Sequence, residues 1–212
     1  QAEDIYSAMG GAAADSGNLN ITTEKLVKNF SELNKQLGFI NNFTMESLVT
    51  MTKLTEQVGL SAQEAGSLVT LSEARGKNAE DEYKAALGSS YELQRQSGIQ
   101  MDLREILKSI GNVTGQIRAN LGANPASIAK AITLAKELGG SLDDVKAVSS
   151  AILDFESSIA SELEAELLTG KELNLEKARL AALNGDIIGL EKEIASQLGT
   201  FTEFSKMSVI QQ

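Results

Sequence analysis

The chain has 212 residues, 42% of them hydrophobic but only 4% aromatic, with one Pro and no Trp, His or Cys. This composition excludes wholesale disorder, Ser-His-Asp and Cys-His nucleophilic sites, Cys/His zinc sites, thiol redox chemistry and disulfides. With 19 basic against 29 acidic residues, the formal net charge of −10 argues against nucleic acid or an anionic membrane as a primary ligand. No apolar run approaches the roughly 18 residues that a membrane span needs. The chain opens Gln1-Ala2-Glu3-Asp4, with no basic region leading into an apolar core, and reads as a piece of a longer or processed protein. The absence of Cys suits a cytosolic or virion protein.

Residues 1–20 are the least periodic. Met9-Gly10-Gly11-Ala12-Ala13-Ala14-Asp15-Ser16-Gly17-Asn18 is small and Gly-rich, and predicts a flexible or irregular lead-in. From Ile21 onward the pattern is helical, as an N-terminal segment over 21–122 and a C-terminal segment over 123–212. Ser61-Ala62-Gln63-Glu64 is a capping box, in which two side chains satisfy orphan N–H groups reciprocally. Ile106, Ile110, Val113, Ile117 and Leu121 then form an apolar stripe at steps of 4, 3, 4 and 4. Within it, Gly111 and Gly115 predict close helix approach or a kink. Asn124-Pro125 is an N-cap residue with Pro in the first helical position.

The clearest helical signal runs from Ser141 to Leu168. Leu142, Val145, Val148, Ile152, Phe155, Ile159, Leu163 and Leu167 recur at steps of 3, 3, 4, 3, 4, 4 and 4. They predict one helix of 28 residues, roughly 40 Å long. A last stripe joins Ile187, Leu190, Ile194 and Leu198. No sustained period-2 run marks a strand, so the expected fold is all-α: elongated hairpins or coiled-coil-like helices joined by Gly-plus-N-cap turns. That joint recurs at Gly59, Gly139 and Gly199, followed by the caps Ser61, Ser141 and Thr200.

Residues 100–136 carry a net charge of +3 and residues 137–172 a net of −7, so two neighbouring segments could pair or simply be solvated faces. Gly170-Lys171 lacks the flanking residues of a phosphate-binding loop. Glu162, Glu164 and Glu166 have the density of a weak cation site, but residues two apart on a helix face apart. The sequons at Asn20, Asn42 and Asn112 carry no secretion context. No catalytic, cofactor-binding or metal-binding residue is assigned. The three stripes instead predict packing seams, and thin aromatic-poor seams favour an elongated oligomer over a monomer.

The C-terminal part resembles the tail tape measure proteins of tailed bacteriophages. The likeness is carried by Leu153-Asp154-Phe155-Glu156-Ser157-Ser158-Ile159-Ala160, Ser161-Glu162-Leu163-Glu164-Ala165-Glu166-Leu167-Leu168 and Leu173-Asn174-Leu175-Glu176-Lys177-Ala178-Arg179. It continues through Leu190-Glu191-Lys192-Glu193-Ile194-Ala195 to the ending Met207-Ser208-Val209-Ile210-Gln211-Gln212. Residues 45–75 are similar more loosely, and residues 1–20 not at all. The resemblance implies a non-enzymatic virion protein made in the host cytoplasm. Such a protein sets tail length, docks in the tube lumen or tail tip, and leaves before the genome passes. It also implies self-association, commonly as a trimer, contact with tail tube and tip or hub proteins, no cofactor and no stable nucleic-acid binding. A helical signalling module resembling a chemoreceptor hairpin is the alternative; it would need long unbroken heptads.

Overall fold

The computed structural model describes residues 2–37, 44–199 and 206. Among the described residues there are twelve helices and no strand, so the fold is all-α. In chain order they are α1 (Ala2–Asp15), α2 (Thr23–Leu37), α3 (Met45–Glu56), α4 (Ala62–Glu73), α5 (Ala79–Ser97), α6 (Leu103–Asn112), α7 (Gly115–Asn120), α8 (Pro125–Glu137), α9 (Leu142–Ile152), α10 (Phe155–Thr169), α11 (Glu176–Leu183) and α12 (Ile187–Leu198). They divide into two units. Unit 1 comprises Gln1–Gly88 and Asp102–Asn112, and unit 2 comprises Ser89–Met101 and Val113–Gln212. The boundary therefore crosses the chain three times, first inside α5.

In unit 1, α1 packs on α2 and α3, α2 packs on α3 and α4, and α4 packs on α6. The expected irregular lead-in is thus a helix. Three consecutive alanines supply helix propensity, and the burial of Met9 against the unit outweighs the roughly 1 kcal/mol that each of Gly10 and Gly11 costs. Leu26, Leu33, Leu48, Met51, Leu54, Val69, Leu107 and Ile110 complete the core. One buried polar bridge crosses it: the Asn29 amide donates to Thr52 Oγ1 at 2.9 Å, and the Thr52 hydroxyl donates to the Leu48 carbonyl. The box at Ser61 forms as its spacing requires, with Ser61 N–H donating to Glu64 Oε2 at 2.8 Å and Glu64 N–H to Ser61 Oγ at 3.2 Å. Gly111 lies where α6 packs on α4: a Cβ there would stand 3.1 Å from the Glu64 carbonyl oxygen.

In unit 2, α12 packs against α8, α9 and α11, and α9 also packs on α8, α10 and α11. The Asn124 side chain accepts from Ala126 N–H ahead of Pro125, and Ser141 with Asp144 forms the second capping box. The third box, at Thr200, lies outside the described residues. Ser90 and Thr133 share a buried hydrogen bond of 2.7 Å that ties the end of α5 to α8.

The stripe over 106–121 and the continuous helix expected over 141–168 are each divided between two helices. The run 106–121 breaks at Val113–Thr114, where two β-branched residues precede Gly115 and Thr114 becomes the N-cap of α7. Ile106 and Ile110 consequently belong to unit 1, and Val113, Ile117 and Leu121 to unit 2. The run 141–168 breaks at Leu153–Asp154. Asp is a poor interior helix residue and a favoured cap, and Asp154 occupies the N-cap position of α10. The Ser158 hydroxyl donates back to the Ile152 carbonyl at 3.3 Å, which satisfies part of the open end of α9. Because the step from Ile152 to Phe155 is three residues, the apolar period passes through the break without a trace.

Candidate functional site

Unit 2 carries two features that a structural core does not explain. The first is on α10. Its polar edge is formed by Ser158, Glu162 and Glu166, four residues apart and so on one side of the helix. Glu166 Oε1 accepts from Leu173 N–H at 2.7 Å and Glu162 Oε1 from Leu175 N–H at 2.9 Å. The other Glu162 oxygen pairs with the Arg179 guanidinium, and Arg179 Nε donates to Ser158 Oγ at 3.3 Å. Two of the three clustered glutamates therefore organise the turn into α11, while Glu164 is exposed. Among the described residues, no group of three or more acidic residues could hold a metal ion.

Beside that edge lies an apolar stripe that the described residues leave substantially exposed. Phe155 is 53% exposed, Ile159 47%, Leu163 56% and Leu167 87%, again at four-residue steps. The 141–168 seam is thus divided in its burial as well as its backbone. Leu142, Val145 and Ile152 are buried within unit 2, whereas Val148 and the four residues of α10 face outward. Ile106, Ile110, Ile117 and Leu121 are likewise buried, and Val113 is half-buried. On α12, Ile187 and Leu190 are buried, Ile194 is half-buried and Leu198 is exposed. Leu138, Val145, Val148, Ile194 and Leu198 line an apolar groove of about 390 Å³. Leu180 and Leu183 of α11 add two further exposed apolar side chains.

The second feature is Glu191. It is 1% exposed, and neither carboxylate oxygen has a hydrogen-bond partner. Burial pushes its carboxyl up to about 9, so it is neutral at pH 7. Sequence reading passed over it because its side chain is ionic. The signal was nevertheless present: Glu191 stands four residues after Ile187 and three before Ile194, at a position where the apolar pattern expects Leu or Ile.

These features define an all-helical protein with an uncovered apolar helix face and a buried neutral carboxyl. The chain matches no family model, and no curated protein or solved structure is found to be similar to it. Among the described residues, no helix is long and apolar enough to cross a membrane.

Proposed function

We propose that this chain is part of a tail tape measure protein of a tailed bacteriophage. In this reading it is a non-enzymatic structural component of the virion, docked in the tail tube lumen or tail tip and released before genome ejection. What carries the reading is the run 153–212, where the resemblance is concentrated, together with the fact that its described portion includes the exposed stripe of α10. A helix face of this kind gains stability by covering its apolar side chains, at roughly 1.5–3 kcal/mol for each large one fully buried. Its partners here are further copies of the chain, three by the same resemblance, and the tube and tip or hub proteins. The net charge of −10 is consistent with a lumen occupant that does not retain the DNA following it. The described helices span 6 to 19 residues, which does not favour the unbroken heptads of a chemoreceptor-like hairpin.

The direct test is made in phage particles encoding the chain. In-frame removal of residues 141–198 from the parent gene should yield particles with shorter tails by electron microscopy. Tails of unchanged length, in particles that contain the shortened protein during assembly, would overturn the tape measure role.

A further inference from the structure

An ionised carboxylate buried without a donor costs more than a small folded unit can supply, so such a group keeps its proton or the structure around it opens. Glu191 is in that position on α12. The helices packed against α12 are α8, α9 and α11. Their titratable groups are Lys130, Lys136 and Glu137 on α8, Asp143, Asp144 and Lys146 on α9, and Glu176, Lys177 and Arg179 on α11, with Lys192 and Glu193 on α12 itself. Lys130, Lys136, Asp143, Asp144, Glu176, Lys177 and Lys192 are exposed, and Arg179 is committed to Glu162. None of them hydrogen-bonds to Glu191, and no charge offsets its burial.

We propose that Glu191 is a proton-operated catch: protonated, it lets α12 seat against α8, α9 and α11, and ionised, it drives the helix off that seat. Proton loss goes to solvent base and leaves a carboxylate that only water can satisfy. Unseating α12 uncovers Ile187 and Leu190, which the closed unit hides. The catch therefore converts a change of pH into an apolar helix available for contact.

The direction follows from linkage. The seated carboxyl titrates at about 9, and the unseated one near its ordinary value of 4.5. A folded-state pKa raised in this way contributes stability that is complete below the unseated value and is lost as pH rises through the seated one. Between these limits one proton separates the two states, so the seating equilibrium weakens about tenfold per pH unit.

Hydrogen exchange of the α12 amides, measured on the full chain from pH 5 to pH 8 and corrected for intrinsic rates, reads this directly. Protection should fall about tenfold per pH unit in the wild type, and should be flat in Glu191→Gln, which keeps the shape without the proton. Equal slopes in the two proteins, or a flat wild type, would overturn the catch. Should Glu191→Gln not fold, the carboxyl carbon resonance of Glu191 in the wild type decides. A titration midpoint well above the ordinary carboxylate range supports the catch, and one within that range refutes it.

Discussion

At the scale of single residues, carboxylates act in opposite directions. Glu162 and Arg179 form an ion pair whose side chains are 12% and 11% exposed, reinforced by the Leu175 N–H. Removing one member of such a pair strands the other, at a cost of about 3 kcal/mol or more. Arg179→Met should lower the free energy of urea unfolding by about that amount, whereas Glu164→Gln, on an exposed carboxyl, should change it by less than about 0.5 kcal/mol. Glu64 and Asp144 are held below the ordinary carboxylate value, Glu64 chiefly by the Ser61 backbone N–H and Asp144 chiefly by the Ser141 hydroxyl. Depressed values contribute stability that is present above the ordinary carboxylate range and lost as pH falls through the lowered ones. Glu191 works the other way, gaining stability as pH falls. Melting temperature plotted against pH should therefore rise from pH 8 toward pH 5 and turn down at strongly acid pH. Glu191→Gln should remove the rise and leave the acid limb. Gly111 adds a steric case. The carbonyl oxygen facing it is main chain and cannot rotate away, so Gly111→Ala should destabilise unit 1 by about 1 kcal/mol despite the better helix propensity of Ala.

At the scale of elements, the division between α9 and α10 separates a buried stretch from an exposed one within a single apolar stripe. Ile152 closes the core of unit 2, and Phe155, Ile159, Leu163 and Leu167 remain outside. An Asp at each place tests the separation. Ile152→Asp places an unpaired carboxyl in the core and should cost several kcal/mol, seen as a large drop in the urea midpoint. Ile159→Asp should leave that midpoint within about 0.5 kcal/mol of wild type. Comparable losses at both positions would mean that α10 is covered by its own chain. Ser158 sits at the junction and holds both the Ile152 carbonyl and Arg179. Through it, the end of α9, the start of α10 and the side of α11 share one hydroxyl.

At the scale of the whole molecule, those uncovered side chains make self-association the outcome to test. If copies meet through α10, light scattering should give masses that are multiples of 22.5 kDa and rise with concentration. The Ile159→Asp, Leu163→Asp double variant should then remain at 22.5 kDa with unchanged helix content. A wild type that stays at the single-chain mass at every concentration would contradict self-association through this face. Only the α10 residues and their exposed neighbours serve in this test, because Ile106, Ile110, Ile117, Leu121, Leu142, Val145 and Ile152 are already buried.

The all-helical class and the caps at Ser61, Asn124 and Ser141 were legible in the sequence because they depend on interactions within three or four residues. Periodicity did not single out Leu26, Leu33, Leu48, Met51 or Ile128, but it located part of the core, Ile110, Ile117, Ile152 and Leu190 among it, since an apolar face must be covered by something. What covers it is a matter of distant chain. Met9 and its neighbours α2 and α3 make a helix of a stretch whose composition suggests a linker. Asp154 and Thr114 cap new helices inside patterns that show no gap, because a break that preserves the three- or four-residue step leaves the period intact. Whether Leu163 meets solvent or core, and that Glu191 is buried without a hydrogen-bond partner, follow only from the placement of α8, α9, α11 and α12. Local bonding writes the elements into neighbouring residues, but burial is set by packing between residues far apart in the chain, and only the tertiary structure decides it.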